Sequence, residues 1–421
     1  MMRGNSRMLP ETVRRYVERA LSILTFRNLE VNASQSGQET GDATAKNNTS
    51  GMPRKEESRA RGHLSASMYT DYSDSNPYQH ELGKALGQEN VTVELSRYDS
   101  RWKLLAVLGG RDRPDVVHLH WLSAHFVTSY RSATALRGAR LLVELAVLRL
   151  SGIRVVWTVH NLFEHERRCP RVELVVKRLA SRLVNVLITH CERASETVAD
   201  TLRLSESKRQ SVVAVPHGHY VDSYPAELDR TEARESLGYD PDETVFLYFG
   251  VIRPYKNVLK LLEAFSGVEA PGARLSVVGN PLDDDIAEAI RSAAEQDDRV
   301  RTTLEFVPDE EVQRYMHSAD VVVLPYGTTL MSGAAMLAMS FGLPVVAPKA
   351  GCVGELLTAS ENVCYDPADP DGLTDALQTA LDADLAAMGA ANRRYVEQFD
   401  WETIGRRTRR LYESDDARQS R

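Results

Sequence analysis

Hydrophobic positions in this chain come in short β-branched runs separated by longer amphipathic stretches. From His63 onward, Leu64–Tyr69, Val91–Leu95, Asp115–His120, Ile153–Val159, Val186–Thr189 and Val212–Val215 read as strands. Helical periodicity falls between them, clearest near Pro77 and over Ser132–Leu150. A second series follows: Val245–Phe249, Leu275–Val278, Val300–Phe306, Val321–Leu324, Pro344–Ala347 and Asn362–Tyr365. Its helices are expected over Asn257–Phe265, Asp284–Gln296 and Asp309–His317, and Asp371–Leu381, Leu385–Phe399 and Trp401–Tyr412 close the chain. Strand–helix alternation of this kind predicts an α/β fold: two Rossmann-like parallel-sheet domains facing a cleft.

The pattern also sets boundaries. Residues 1–60 form an N-terminal extension, with a helix over Glu11–Leu29 and a polar stretch, Glu30–Arg61, that reads as disordered linker. The first domain spans 61–225 and the second 243–397. Asp222–Asp242 is polar and carries Pro225 and Pro241, so 226–242 is the linker; 398–421 is a closing helical segment.

A chain of 421 residues has room for two ordinary cores, and 43% hydrophobic with 26% charged content is globular. A net charge of -8 argues against a nucleic-acid binder. Cys169, Cys191, Cys352 and Cys364 show neither a C-x-x-C pair nor zinc spacing, and read as incidental thiols in a reducing compartment. The N-terminus lacks a signal-like apolar run, which makes the expected location cytoplasmic. Val321–Pro348 is free of charge, but Pro325, Gly327, Gly333, Gly342, Pro344 and Pro348 divide it into core elements.

Candidate chemistry gathers at strand ends. In Gly250–Asn257 (GVIRPYKN), Arg253 and Lys256 sit between a strand and a helix start, where two cations and a helix dipole can meet one anion. Thr329, Ser332 and Gly333 precede an apolar helix, where hydroxyls and backbone N–H groups suit phosphate or sugar oxygens; capping by Ser332 is the simpler use. His160 ends a strand and heads HNLFEHE, in which Glu164, His165 and Glu166 are weaker candidates. His120 and Trp121 end another strand, with His118 as a structural neighbour, and His217 closes the last strand of the first domain. Asp71 and Asp74 lie in the loop after the first strand, where a carboxylate could take a proton from an acceptor hydroxyl.

From His63 to Tyr412, these residues resemble the nucleotide-sugar-dependent glycosyltransferases of the GT-B fold, nearest to the group 1 type (family four). Gly250, Arg253 and Lys256 look like the family's glycine–arginine–lysine element, which binds the donor diphosphate. His160 looks like its strand-end histidine, which contacts the transferred sugar, and the glycine-rich turn GCVGEL like its glycine-rich segment ending in an acid, here Glu355. The resemblance makes His160, Arg253 and Lys256 the catalytic residues. Donor binding falls to Gly250, Arg253, Lys256, Gly279, Thr329, Ser332, Gly333 and Glu355, and acceptor binding to Asp74, His120, Trp121 and His217. It also implies that the final helix crosses back to the first, acceptor-binding domain. Two features depart from the family. Its paired glutamates are absent, with Thr329 near the first place and Leu337 near the second, and its first-domain glycine pair is replaced by Ser73–Asn76.

The expected activity is transfer of a hexosyl group from a nucleotide-diphosphate sugar to a saccharide or lipid-linked glycan. It needs no cofactor or metal, because cations and helix dipoles neutralise the diphosphate. The alternatives are a sugar-nucleotide epimerase or a non-catalytic glycan-binding or scaffold homologue. Arg131–Arg149 and Glu166–Arg182 carry enough arginine for peripheral contact at the inner face of a membrane, against the simpler role of solvated helix faces.

Overall fold

β-Branched side chains are stiff at χ1 and pack well on a pleated surface. Here they build two six-stranded sheets. The computed structural model describes residues 62–413, apart from 74–75, 97–101, 103, 110–112, 328 and 361. The extension 1–60, with its expected helix, and Asp74 lie outside the described residues.

The first sheet contains β1 (Leu64–Tyr69), β2 (Val91–Leu95), β3 (Val116–Leu119), β4 (Arg154–Thr158), β5 (Val186–Thr189) and β6 (Val212–Ala214), in the order β2-β1-β3-β4-β5-β6. The second contains β7 (Thr244–Phe249), β8 (Ala273–Val278), β9 (Val300–Thr303), β10 (Val321–Val323), β11 (Val345–Pro348) and β12 (Val363–Tyr365), in the order β12-β11-β10-β7-β8-β9. Every pairing is parallel. The order reverses at β1/β3 and at β7/β10, and open sheets of this kind take ligands at the carboxyl edge beside such a reversal. This is the GT-B fold.

Register decides which loops meet at that edge. Phe249 pairs with Val278, which sets Gly250 beside Gly279. Leu119 pairs with Trp157, and Thr158 with Ile188, so the residues after β3, β4 and β5 fall side by side.

Each sheet has its own core. Phe246, Leu247, Val322 and Val345 are at most 1% exposed in the second. On one face of the first sheet, Ala66, Met68 and Val156 pack with Ile404, Leu411 and Tyr412 of the last helix, Trp401–Glu413. That helix is tied down by polar contacts as well: Trp401 Nε1 donates to the His219 carbonyl at 2.7 Å, and Arg154 Nε to the Leu411 carbonyl at 2.7 Å. Among the described residues, no helix is long and apolar enough to cross a membrane.

Three sequence expectations need correction. The linker contains a helix, Arg230–Leu237, started by a reciprocal cap between Asp229 and Glu232. GCVGEL is not a turn but the opening of the helix Gly351–Ala359. Cys191 and Cys352 are not thiols: they form a disulfide that joins the two domains, while Cys169 and Cys364 are free. With the two cysteines 161 positions apart, no local spacing could reveal the pair.

Candidate active site

The second-domain wall begins where β7 ends. Pro254–Lys256 makes a single tight turn, and Asn257, at φ 52°, redirects the chain into the helix Val258–Ser266. Lys256 Nζ lies 2.9 Å from the Tyr326 hydroxyl and 4.3 Å from the centre of its ring, which holds the ammonium in place. Arg253 Nη1 lies 3.8 Å from Glu166 Oε1 of the first domain. Arg253 and Lys256 thus stand on one loop, and that loop is laced to the next. Ile252 N donates to the Asn280 carbonyl at 2.8 Å, and Leu282 N to the Ile252 carbonyl at 3.0 Å. Gly279 makes this approach possible, because a Cβ there would lie 1.8 Å from the Gly250 oxygen.

Thr329, Ser332 and Gly333 form a second loop beside it. Thr329 Oγ1 donates to the Met331 carbonyl at 2.7 Å, and Ser332 Oγ accepts from Ala335 N at 3.2 Å, the cap of the helix Gly333–Ser340. Cys352 N donates to the Leu330 carbonyl at 2.9 Å. Gly351, at φ +58°, admits the Thr329 carbonyl where a Cβ would sit 2.0 Å from it. Glu355 is exposed in the first turns of its helix, and Leu337 is buried.

The first-domain wall is aromatic and imidazole-rich. Trp121, at φ 41°, stacks on His160 with centroids 4.4 Å apart and 13° between planes. Both nitrogens of His160 are engaged by rings: Nε2 with His120 Nδ1 at 3.0 Å, and Nδ1 with His190 Nε2 at 3.3 Å. His217 Nδ1 donates to the Gly218 carbonyl at 2.8 Å. Tyr78 touches the edges of His120, His160, His190 and His217, with centroids 4.8–5.9 Å away. Burial keeps these rings neutral, pushing His190 down to about 4 and His217 to about 3. His118 binds Thr158 Oγ1 at 2.7 Å and the Tyr412 hydroxyl at 2.8 Å, a structural role.

The loop after His160 reaches across the cleft. His165 stacks on Tyr255 at 4.6 Å, with 4° between planes, and burial pushes its imidazole down to about 4, with Lys256 adding to the effect. A fully buried ion pair anchors this loop. Lys177 Nζ is 2.8 Å from Glu173 Oε1 and donates to the Leu162 carbonyl at 2.9 Å. Glu173 Oε1 also accepts from Ser123 Oγ at 2.6 Å and Glu164 N at 2.8 Å. These bonds all fall on Oε1; Glu173 Oε2 is buried with no hydrogen-bond partner among the described residues, so the desolvation of the pair is only partly offset.

The structure therefore brings His120, Trp121, His160 and His217 together on one wall. Gly250, Arg253, Lys256 and Gly279 share one loop pair on the other, with Thr329, Ser332 and Gly333 on an adjoining loop. Glu166 and His165 span the gap. Sequence reasoning missed His190, Tyr78, Tyr326, Glu173 and Lys177. The i,i+4 spacing of Glu173 and Lys177 was visible, but their burial was not.

A family model described as "Glycosyl transferases group 1" matches residues 243–383. A GDP-mannose:glycolipid 4-beta-D-mannosyltransferase of Xanthomonas campestris pv. campestris is 31% identical over 279 residues, 66% of this chain and 70% of the relative. The chain belongs to the group 1 glycosyltransferases. Two solved structures share its architecture. A sucrose-phosphate synthase from Thermosynechococcus elongatus has a TM-score of 0.65 at 20% identity, covering 83% of this chain and 98% of that one. Anabaena HepE, solved with UDP-glucose, has a TM-score of 0.64 at 15% identity, covering 83% and 99%. This group 1 glycosyltransferase takes its sugar from a nucleotide sugar. The epimerase and scaffold alternatives give way to that relationship.

Proposed function

We propose that this glycosyltransferase moves mannose from GDP-mannose to a lipid-linked saccharide, with inversion and without a metal. The observation that carries the reading is the Xanthomonas relative, whose name specifies that donor, a glycolipid acceptor and a β-linked product. An α-linked donor and a β-linked product require one displacement, in which a base takes the proton of the attacking hydroxyl. Arg253 and Lys256 neutralise the leaving diphosphate, a task a metal ion would otherwise serve. Gly250, Gly279, Thr329, Ser332, Gly333 and Glu355 complete the donor side. His160 faces the sugar through its wall of rings, and His120, Trp121, His217 and Asp74 receive the acceptor. No cofactor enters the scheme.

A lipid-linked acceptor places the enzyme at a membrane surface. The helix Arg131–Leu150 supports this: Leu136, Val143 and Leu150 recur two turns apart and are 69%, 45% and 69% exposed. Arg131, Arg137 and Arg149 are exposed on the same helix, and its one carboxylate, Glu144, is buried. An apolar stripe with basic flanks suits an anionic bilayer.

Incubation of the protein with GDP-mannose, UDP-glucose and other nucleotide sugars, with a lipid-linked saccharide in detergent, tests the reading. GDP-mannose should turn over, the product should be β-linked by NMR, and a chelator should leave the rate unchanged. Turnover of another donor alone would overturn the donor assignment. Loss of activity in chelator would overturn the metal-free chemistry. Sedimentation with phosphatidylglycerol vesicles, lost in Leu136→Asp/Leu150→Asp, tests the membrane face.

A further inference from the structure

Four successive strands of the first sheet are each followed, within three residues, by a histidine: His120 after β3, His160 after β4, His190 after β5 and His217 after β6. Three of these form a chain whose direction is fixed by one backbone carbonyl. Val215 O can only accept, so His190 Nδ1, 3.1 Å away, carries its proton. In a neutral ring, His190 Nε2 is then a bare lone pair, and it accepts from His160 Nδ1 at 3.3 Å. His160 Nε2 is bare in turn and accepts from His120 Nδ1 at 3.0 Å. The chain ends at His120 Nε2, a lone pair that is buried and has no hydrogen-bond partner among the described residues. The opposite polarity would set His190 Nδ1 and the Val215 oxygen lone pair to lone pair.

This direction holds for neutral rings. His120 and His190 are buried and His160 is half-buried, and desolvation pushes all three below the usual imidazole range, His190 to about 4. His120 also lies at the carboxyl edge of the sheet, beside Trp121 at 5.8 Å. Trp121 is half-buried, and its ring meets Tyr72, which is 40% exposed.

We propose that His120 is the catalytic base of the transfer, and that His190, held by Val215 O, is the positioning residue that sets its tautomer through His160. This rests on the reading of the reaction as an inverting transfer to a hydroxyl. The acceptor oxygen bonds to the anomeric carbon as the bond to the diphosphate oxygen breaks. That bonding pair leaves with the diphosphate, and the hydroxyl proton passes to His120 Nε2. The resulting imidazolium keeps its Nδ1–H bond to His160 Nε2, so the new charge is shared along the row, away from the acceptor. Five-membered rings joined nitrogen to nitrogen leave no converging lone pairs for a metal, and among the described residues no group of three or more His, Cys, Asp or Glu side chains could hold one.

His190→Leu removes the acceptor for His160 Nδ1–H. The tautomers of His160 and His120 should then reverse, and His120 should present a proton where it had a lone pair. The expected result is a fall in kcat of at least about tenfold, with the acceptor KM changed less than about twofold. His190→Gln, whose side-chain oxygen accepts from His160, should recover most of the rate. Nitrogen-15 NMR of histidine-labelled protein, without donor or acceptor, should show His120 Nε2 unprotonated in the wild type and protonated in His190→Leu. Cooperative urea unfolding of both variants confirms that they are folded. A protonated His120 Nε2 in the wild type, or wild-type kcat in His190→Leu, would overturn the proposal. The rate assay uses whichever nucleotide sugar the panel identifies, and the NMR result needs none. An error in the assigned donor is thereby separated from an error in the histidine row.

Discussion

Glu166 Oε1 stands 3.8 Å from Arg253 Nη1, so a first-domain carboxylate already faces the guanidinium proposed above to meet the donor diphosphate. Arg168 Nη2, 3.1 Å from Glu166 Oε2, draws on the same acid. A partly exposed pair of this kind is worth about 0.2–1 kcal/mol, or up to about fivefold in binding. Donor binding must exchange one anion for another at Arg253. Glu166→Gln should therefore tighten GDP binding by about two- to fivefold, whereas Arg253→Ala should weaken it by about tenfold or more. Titration calorimetry with GDP measures both. Equal weakening by the two variants would mean that Glu166 orients Arg253 and does not compete with the ligand.

The two donor loops depend on a backbone contact that only one residue type allows. Gly279, at φ +153°, brings its α-carbon against the Gly250 carbonyl, and a Cβ would lie 1.8 Å from that oxygen. Gly279→Ala should cost about 2–4 kcal/mol of stability through strain and displacement of the Gly250–Lys256 loop. GDP binding should fall with it. Gly272→Ala is the matched control, since an added Cβ there meets nothing within 4 Å. Urea denaturation of the two variants should separate them clearly; equal midpoints would refute the close approach.

Both sheets could be read from the chain because β-branched runs at regular intervals admit few other arrangements. Val321–Val323 and Val345–Pro348 are examples in which every residue is buried. That Arg253 and Lys256 share one loop could be read too, since they stand three residues apart at a strand end. His190 could not. In ITHCERAS it looks like any strand-end residue, and only the parallel register beside β4 brings it to His160. The helix Arg230–Leu237 was hidden by its polarity, although Asp229 and Glu232 carry the spacing of a capping box. GCVGEL concealed a helix because glycine at its first position suggests a turn, and the tertiary contact with Thr329 is what calls for that glycine.

The buried imidazoles also make the fold sensitive to acid. His118, His190 and His217 have folded pKa values of about 3, 4 and 3, lowered by burial from an unfolded value near 6.5. Between about pH 6.5 and 4 the unfolded chain therefore binds more protons than the folded one. Stability is fully present above that window and is lost as pH falls through it. Each ring contributes up to about 1.4 kcal/mol per pH unit, so the three together remove about 5 kcal/mol between pH 7 and pH 5. Against an ordinary stability of about 5–15 kcal/mol, unfolding should set in near pH 5. Urea midpoints at pH 7.5, 6 and 5 test this, and a flat profile would rule it out. His190→Gln should make the slope shallower by one ring's share.

The disulfide between Cys191 and Cys352 gives the two-domain arrangement a covalent test. Cys191 also caps the helix Glu192–Leu202, accepting from Ala194 N at 3.3 Å, and Cys352 N is bonded to the Leu330 carbonyl of the donor loop. The bond thus ties the residue next to His190 to the loop that carries Thr329 and Ser332. A protease site inserted between Ala226 and Glu227, both exposed in the interdomain segment, would cut the chain inside the closed loop. On a denaturing gel the two fragments should migrate as one species without reductant and as two with dithiothreitol. Cys352→Ser should give two species in both lanes. Closing so long a loop restricts the unfolded chain, so reduction should also lower stability by about 3–5 kcal/mol. Fragments of the cut wild-type chain that separate without reductant would show that the bond does not form in solution.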